Sequence, residues 1–404
     1  MLVRALFFSD AGAHTGFARV TEEIGNRLVT QYGDDVHCLA VNYRGDYWPS
    51  NIKMYVPTAL DPTDIYGRSR YVEMIDKVDP DVIVMINDPD VIIRHLVDNP
   101  FDTERILLKA RPLLLYLPID GYNSPPAWEA LANISKRVAM CKFGQDAMPG
   151  SELVYHGVDT VGYKPQNKKD AKRAMGFDPE RFLILRVDKN SLRKNYADSW
   201  RALRPLLRKY TDIDVHFHCL PNSSDGINIR AFISRDEDIR DRVSFSRDLG
   251  GFTGWSDAQM SSLYSAADLF ISTSMGEGFG LTIAEALACG TPVIAQNVSS
   301  ITEVVGPGGI LIEPARPFTV PMGQEQMLPD VDAFTREIEH LYLAGGVRRK
   351  LGIAAREHVE RSFSWDTAAR EFHRLITELA DASVRQEEPN ESEVPNLHGS
   401  AQGV

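Results

Sequence analysis

Short apolar segments alternate with longer amphipathic segments along most of this chain. In its first part, apolar strands are predicted at 2–9, 36–41, 82–86, 113–117 and 138–141. Phe17, Val20, Ile24 and Leu28 fall on one face of a helix that follows the first of these strands. A second series of strands is predicted at 182–187, 215–219, 269–272 and 310–312. Strands that alternate with helices in this way predict an α/β protein with doubly wound parallel sheets.

The length predicts more than one domain, because 404 residues exceed the usual size of a single hydrophobic core. We place a first domain at 1–160 and a second at 161–364, with the hinge in the polar segment 164–179. A last helix is expected at 365–382. The remaining residues, 383–404, are rich in Glu, Pro, Ser and Gly, and this composition predicts a disordered tail.

The most informative stretch is 267–293, which contains a strand, a glycine-rich loop and a helix in that order. Gly276, Gly278 and Gly280 allow the loop to adopt positive φ angles and to approach a ligand closely. The helix is expected at 281–289, followed by Gly290 and Pro292 as stop signals. Free backbone amides and the positive end of the helix dipole would then meet at one point, which favours phosphate.

Two carboxylates accompany this anion site. Glu277 belongs to the loop and Glu285 to the first turns of the helix. They are poor partners for phosphate, but good hydrogen-bond acceptors for sugar hydroxyls on either side of it. The plainer alternative is that Glu285 is a solvated helix residue and that the glycines form an ordinary strand-to-helix turn.

The run from Glu277 to Glu285 resembles the motif of the retaining GT-B glycosyltransferases of family 4, a Glu, seven residues and a second Glu around a Glu-Gly-Phe-Gly core. The resemblance is strong over about 150–365 and looser over 1–150. It implies two Rossmann-like domains with an interdomain cleft, Glu285 on the ribose of a nucleotide-sugar donor and Glu277 against the transferred sugar. It also implies that the loop backbone lines the sugar and diphosphate at Gly278, Phe279, Gly280 and Leu281.

The loop at 188–195 is the second candidate for donor binding. The family commonly has Gly-Arg here and a Lys a few residues later, with both basic residues on the diphosphate. Lys194 matches the later Lys, whereas Lys189 stands at the Arg position, a departure that provides a point charge instead of a fork. Arg193 is the alternative second cation. Solvated surface residues are the plainer interpretation.

The same resemblance extends to several turns. The turn at 252–254 is where the family holds the nucleotide base, which assigns Thr253 and Gly254 to the donor. Gly16 is assigned to the donor on a different ground: it ends a small-residue loop between the first strand and its helix, and such a loop faces a ligand at the carboxyl end of the strand. Asp120 follows the strand at 113–117 and is expected near the acceptor, although an Asx turn before Gly121 explains it equally well. The helix from Trp365 is expected to cross back onto the first domain.

No metal ion or cofactor is expected besides the nucleotide sugar as substrate. His216 and His218 share one side of a predicted strand, but no third ligand is evident. Asp-x-Asp triplets, which would mark a metal-dependent transferase, occur five times in this acidic chain and carry little information. Only Asp88-Pro-Asp90 is placed to face a cleft.

The composition limits the partners. A formal charge of −12 makes nucleic acid an improbable partner, and the densest basic run, 168–173, is interpreted as a solvated helix. Four scattered cysteines indicate neither a disulfide framework nor a zinc site, which favours a reducing, cytoplasmic location. No apolar run approaches the ~20 residues that span a bilayer. The oligomeric state is not predicted.

Together with the family resemblance, these observations predict a metal-independent glycosyltransferase with Glu277, Lys194 and Asp120 as catalytic residues. The resemblance implies that the anomeric configuration is retained. The segment from Thr15 to Val20 looks like glycosyltransferases of bacteria and their phages, and leaves glycan, lipid, metabolite and protein acceptors open. A nucleotide-sugar epimerase or hydrolase of the same fold is one alternative. A non-catalytic protein that binds sugar nucleotides is another.

Overall fold

The computed structural model describes residues 2–59, 61–64, 66–96, 111–133, 135–247, 249, 254–321 and 323–387. Within these residues the strands form two parallel sheets and one antiparallel hairpin. We refer to each parallel sheet with its helices as the first and the second domain. The predicted pair of doubly wound α/β domains is confirmed.

In the described part of the chain the first sheet has the order β3-β2-β1-β4-β5-β6-β7, and its strands are parallel. The strands are β1 (Arg4–Asp10), β2 (Asp35–Val41), β3 (Lys53–Tyr55), β4 (Val82–Ile86), β5 (Leu113–Leu117), β6 (Lys136–Ala139) and β7 (Glu152–Leu153). The order reverses between β1 and β4. This is the switch point where doubly wound sheets bind ligands, beyond the carboxyl ends of their strands.

Helices cover this sheet. They are α1 (Gly16–Arg27), α2 (Arg68–Val78), α3 (Pro89–Leu96) and α4 (Lys142–Ala147), with a π-helical turn at Leu28–Tyr32 and 3₁₀ turns at Pro57–Ala59 and Pro126–Asn133. The Thr15 hydroxyl caps α1 by accepting from the Ala18 amide, and it donates to Asp10 at 2.6 Å. The cap therefore ties the small-residue loop after β1 to the start of α1.

The second sheet has the order β10-β9-β8-β11-β12-β13 among the described residues, again with parallel pairing. Its strands are β8 (Phe182–Val187), β9 (Ile213–His218), β10 (Val243–Phe245), β11 (Leu269–Ser272), β12 (Val293–Gln296) and β13 (Gly309–Ile312). The switch point lies between β8 and β11, so the loops after these two strands are placed to bind a ligand.

The helices of the second domain include one with a capping box, in which Ser256 and Gln259 cap α8. They are α5 (Lys168–Ala174), α6 (Tyr196–Lys209), α7 (Ile229–Ile233), α8 (Asp257–Ala266), α9 (Leu281–Ala288), α10 (Ile301–Val305), α11 (Val331–Leu343) and α12 (Gly345–Ser362). Three 3₁₀ turns lie at Leu192–Lys194, Arg240–Arg242 and Gly306–Gly308.

An antiparallel hairpin of β14 (Pro314–Thr319) and β15 (Glu325–Pro329) follows β13, and the sequence pattern does not predict it. The Tyr122 amide donates to the Glu325 carbonyl at 2.7 Å, and the Glu325 amide donates back at 2.9 Å. The Met327 amide donates to the Met275 carbonyl at 3.0 Å. The hairpin therefore links the loop after β5 in the first domain to the loop after β11 in the second.

The last helix, α13 (Trp365–Glu387), packs against α1 of the first domain. Asp366 pairs with Arg27 at 2.8 Å, and His373 pairs with the buried Asp34 at 2.8 Å. The ring of Phe372 contacts the ring of Tyr116 on β5, with centroids 4.9 Å apart. The helix thus crosses back to the first domain, as the resemblance implies.

Two expectations are wrong in detail. The predicted disordered tail begins at 383, but α13 continues to Glu387; residues 388–404 lie outside the described part of the chain. The basic run 168–173 forms α5, yet it is not a fully solvated helix. Lys172 is buried, because its ammonium reaches Asp268 at 2.6 Å beneath the helix.

Candidate active site

The predicted strand, glycine loop and helix are β11, the loop that follows it, and α9. Gly280 has a φ of +100°, a conformation that favours glycine. The other two glycines allow close contact with the first domain. A Cβ on Gly276 would lie 1.8 Å from the Asp120 carbonyl oxygen, and one on Gly278 would lie 2.4 Å from Pro118 Cβ. The loop is therefore pressed against the carboxyl end of β5.

Glu277 is buried in this loop with its carboxylate between two cations. Lys194 Nζ donates to Oε1, and Arg193 Nη1 lies 3.0 Å from Oε2. Burial alone would raise the pKa of Glu277, but Lys194 and then Arg193 outweigh it and hold the pKa below its usual range. The Glu277 amide donates to Ser299 Oγ at 2.9 Å, and Ser300 Oγ donates to the Glu277 carbonyl at 2.8 Å. The carboxylate is therefore ionised and fixed in position.

Lys194 is held by a second carboxylate, with Asp188 Oδ1 2.9 Å from its Nζ. Arg186, fully buried on β8, lies 3.3 Å from Asp188 and donates to the Lys194 carbonyl and to Thr273 Oγ1. Sequence reasoning does not single out Arg186, although an arginine inside an otherwise apolar strand is a visible signal. Arg186 therefore holds the backbone of Lys194 in position through this hydrogen bond to its carbonyl.

The structure does not bring Lys189, the other predicted phosphate ligand, to Glu277. Its Nζ pairs with Asp225 at 2.5 Å, and its side chain is 72% exposed. Arg193, the alternative cation, lies at the site instead. Its Nε is 3.1 Å from Asp120 Oδ2 across the cleft. Arg193 therefore bridges the predicted acceptor-side and sugar-side carboxylates, Asp120 and Glu277.

Further carboxylates stand near Asp120 at the carboxyl edge of the first sheet. Asp10 ends β1, and Asp88 follows β4. The Asp88 side chain is solvent-accessible, yet the surrounding protein raises its pKa to about 6, with repulsion from Asp120 adding to the effect and Arg193 opposing it. Burial likewise raises the pKa of Asp10. The side of the cleft that the first domain forms therefore carries three aspartates, Asp10, Asp88 and Asp120.

Glu285 lies on α9 and is buried, so it is not a solvated helix residue. The Tyr264 hydroxyl donates to its Oε2 at 2.8 Å, and Arg19 Nε from α1 lies 3.8 Å from its Oε1. Arg19 Nη1 also donates to Asp257 at 3.3 Å. Burial raises the pKa of Glu285, while Arg19 and the Tyr264 hydroxyl act in the opposite direction. Arg19 and Tyr264 are site residues that sequence reasoning does not find.

The remaining predicted donor residues that the structure describes are Gly16, Gly254, Phe279 and Leu281. A Cβ on Gly16 would lie 3.8 Å from Leu281 Cδ1, which places the start of α1 opposite the start of α9. A Cβ on Gly254 would lie 2.7 Å from His14 Cγ. Thr253 is outside the described residues. The Phe279 side chain is buried and packs against Phe363, so only its backbone is available to line a ligand.

The two strand histidines are bound to serines. His216 contacts Ser244 and Ser246 at 2.8 and 2.9 Å, and His218 contacts Ser246 at 2.7 Å. Burial lowers the pKa of His216 to about 3 and that of His218 to about 4. Within the described ranges there is no cluster of three or more His, Cys, Asp or Glu residues that could hold a metal ion. Nor does that part of the chain contain a helix long and apolar enough to cross a membrane.

Almost the whole chain aligns with solved structures of similar fold. Sucrose-phosphate synthase from Thermosynechococcus elongatus has a TM-score of 0.69 at 19% identity, and the match covers 95% of this chain and all of that one, 100%. Anabaena HepE, solved in complex with UDP-glucose, has a TM-score of 0.69 at 17% identity, covering 93% of this chain and 100% of HepE. The chain has the GT-B fold. At these identities the likeness establishes the fold alone.

One sequence comparison matches the second domain of the GT-B fold. Residues 184–343 match the family model of glycosyl transferases group 1. The lipopolysaccharide core biosynthesis mannosyltransferase LpsB of Rhizobium meliloti is 29% identical over 160 residues, which cover 39% of this chain and 43% of that protein. A D-inositol 3-phosphate glycosyltransferase of Paenarthrobacter aurescens is 27% identical over 217 residues, 53% of this chain and 48% of the relative.

The matched segment thus spans about half the length of these curated relatives. The family model and the relatives show that part of this GT-B chain is similar to glycosyltransferases. They do not bear on the separate roles expected of Glu277 and Glu285, which stay predictions.

Proposed function

We propose that this protein transfers a sugar from a nucleotide-sugar donor to an acceptor hydroxyl, with retention of the anomeric configuration and without a bound metal ion. The observation that carries the proposal is the ionised Glu277, held between Lys194 and Arg193 in the loop that precedes α9. A protein that only binds nucleotides has no need of a carboxylate beside the sugar. HepE, a structural neighbour, binds UDP-glucose, which supports this class of donor.

The cations of the site suit the chemistry of the leaving group. A nucleoside diphosphate gains negative charge as the glycosidic bond breaks. Lys194, Arg193 and the free amides at the start of α9 would stabilise that charge in a cleft that already holds them in place. These groups take the part that a metal ion has in other transferases.

The carboxylates take the remaining roles. We assign Glu277 to the sugar, where positive charge develops at the anomeric carbon, and Glu285 to the ribose hydroxyls. Asp120 stands on the opposite side of the cleft, where we assign it to the acceptor. The family resemblance implies front-face attack by the acceptor without a protein nucleophile. We further propose a cytoplasmic location, because four scattered and buried cysteines favour a reducing compartment.

The test is turnover of a panel of UDP-, GDP- and ADP-sugars, followed by mass spectrometry with and without candidate acceptors. Glycosyl transfer predicts release of nucleoside diphosphate that depends on the acceptor and is lost in Glu277→Gln. Release of nucleoside diphosphate at the same rate with and without every acceptor would instead identify a hydrolase. Conversion of the donor sugar into its epimer would identify an epimerase, and binding of the nucleotide sugar without turnover would identify a sensor.

Two measurements address the finer claims. The anomeric proton coupling in the product reports whether the configuration is retained. Because the proposed cations are side chains and backbone, EDTA should leave the rate largely intact. Complete loss of activity that manganese or magnesium restores would overturn the metal-independent mechanism.

A further inference from the structure

A cavity of about 630 Å³ lies at the end of the second domain opposite the cleft. Its wall includes Asp268, just before β11, and Pro292, just before β12, so it opens at the amino ends of the strands. The candidate active site lies at their carboxyl ends. Helix α9 separates the two sites by about 12 Å, since eight residues rise 1.5 Å each. The volume falls within the range of small-molecule sites.

One face of α12 forms much of the wall. Gly345, Arg349, Gly352 and Arg356 follow one another at helical spacing and all line the cavity. A Cβ on Gly352 would lie 2.3 Å from the Gly290 carbonyl oxygen, so this glycine allows α12 to reach the end of α9. The cavity is therefore built into the junction of these two helices.

The cavity has more cations than carboxylates. Lys168, Arg348, Arg349 and Arg356 line it, against Asp268 and Glu357. The guanidinium of Arg356 is already engaged with the carbonyls of Tyr163, Ala288 and Thr160. The other three basic side chains are less completely neutralised.

Arg349 has no hydrogen bond or ion pair among the described residues. Arg348 donates through Nη1 to the carbonyls of Leu341 and Tyr342, which carry no net charge. Lys168 lies 3.8 Å from Asp268, but the same carboxylate already pairs with Lys172 at 2.6 Å. One carboxylate is thus shared by two lysines beside two arginines.

The pKa shifts agree with this imbalance. Burial lowers the pKa of Lys168, and repulsion from Lys172 and Arg348 lowers it further against the attraction of Asp268. Burial also lowers the pKa of Arg348, with Arg349 adding to the effect. Positive charge at this place is unfavourable until an anion compensates it. The overall charge of −12 makes such a basic cavity unusual on this protein.

We propose that this cavity is a second ligand site, for a small phosphate monoester with an apolar body. The phosphate would lie against Arg349, Arg348 and Lys168, where a dianion meets several cations at once. The apolar body would pack on Pro165, Pro292 and Ile353, which line the same space. This site is independent of glycosyl transfer in the cleft.

The experiment is calorimetric titration of the full chain with phenyl phosphate, in the presence of saturating UDP so that the donor site is occupied. We expect binding under these conditions, and weaker binding of inorganic phosphate because it lacks the apolar body. No binding of phenyl phosphate with UDP present would overturn the proposal. Equal affinity for inorganic phosphate would overturn the claim of a monoester with an apolar body.

Two variants and a matched control test whether phenyl phosphate binds in this cavity. Arg349→Gln removes a charged hydrogen-bond donor and should weaken phenyl phosphate binding about tenfold or more. Ile353→Ser, at a side chain that is 63% exposed, should weaken phenyl phosphate more than inorganic phosphate. Lys350→Gln changes the neighbouring charge outside the cavity lining and should have no effect.

These substitutions are at exposed positions, so thermal melting should confirm intact folding. Equal binding by Arg349→Gln and Lys350→Gln would place the probe elsewhere. All three positions lie outside the cleft, so absence of phenyl phosphate binding would not contradict the proposed glycosyl transfer. Absence of glycosyl transfer would likewise not contradict the proposed phosphate site.

Discussion

The guanidinium of Arg19 in the first domain lies 3.8 Å, Nε to Oε1, from the Glu285 carboxylate in the second. Arg19 is also paired with Asp257, at the start of α8. Two carboxylates of the second domain therefore face one cation of the first. This contact joins the domains beside the position that we assign to the ribose of the donor.

The first prediction concerns this contact. Arg19 counteracts the effect of burial on the pKa of Glu285, so Arg19→Gln should raise that pKa further. A protonated Glu285 accepts hydrogen bonds less well. The loss of UDP affinity on acidification should then begin at a higher pH than in the unmodified protein, as calorimetry across the weakly acidic range would show.

Arg27→Gln is the matched control, because Arg27 lies on the same helix but its guanidinium pairs with Glu23 and Asp366 and not with Glu285. Its pH profile should follow that of the unmodified protein. Superimposable profiles for Arg19→Gln and Arg27→Gln would mean that Arg19 does not act on the donor through Glu285.

The second prediction separates the two glutamates. If Glu285 holds the ribose, its hydrogen bonds are present in both the donor complex and the transition state. Glu285→Ala should then raise the donor KM by about one to two decades and change kcat less, since a charged hydrogen bond contributes ~1.5–3 kcal/mol. Glu277→Gln should lower kcat strongly and leave UDP affinity nearly unchanged. The reverse pattern would show that the roles are exchanged.

The third prediction compares the two lysines. Lys194 is held in the site by Asp188 and Glu277, and Lys194→Ala should weaken UDP binding by about one to two decades. Lys189 forms an exposed pair with Asp225, and such pairs contribute little. Lys189→Ala should therefore retain most of the affinity. If both variants bind UDP as the unmodified protein does, neither lysine contacts the diphosphate.

The fourth prediction uses pH. The pKa of Asp88 is about 6 in the folded protein, above the ordinary 3.8, so the folded state keeps a proton that the unfolded chain releases in this interval. The free energy of unfolding should consequently fall as pH rises from 3.8 through about 6. Asp88→Asn removes the titrating carboxyl group, and with it this decrease in the free energy of unfolding.

The Asp88→Asn variant should melt at a higher temperature than the unmodified protein at neutral pH and show no advantage near pH 3.8. Asp241→Asn, at a side chain that is 93% exposed, is the control and should show neither effect. A difference in melting temperature that is constant with pH would contradict a titrating Asp88.

Some of the site could be predicted because its signals are contiguous in the sequence. The apolar run before Gly276, the glycines and the stop signals at Gly290 and Pro292 together specify β11, its loop and α9. The family motif covers the same residues. Parallel strand topology then places this loop at the edge of a sheet where ligands bind.

The parts that could not be predicted depend on contacts between distant segments. Nothing local to Arg19 indicates that α1 will face Glu285, because that contact depends on how the domains meet. The hairpin escapes prediction for a different reason. β14 contains Pro314 and Pro317 and is largely exposed, and proline argues against a strand except at a sheet edge.

The course of α13 means that the first folding unit is not contiguous in sequence. A fragment ending at residue 160 would lack Phe372 and Ile376, both fully buried, and would leave β5 and α1 uncovered. Such a fragment should aggregate. Joining 365–387 to it through a short flexible linker should restore solubility, so the smallest autonomous unit of this half of the protein includes its last described helix.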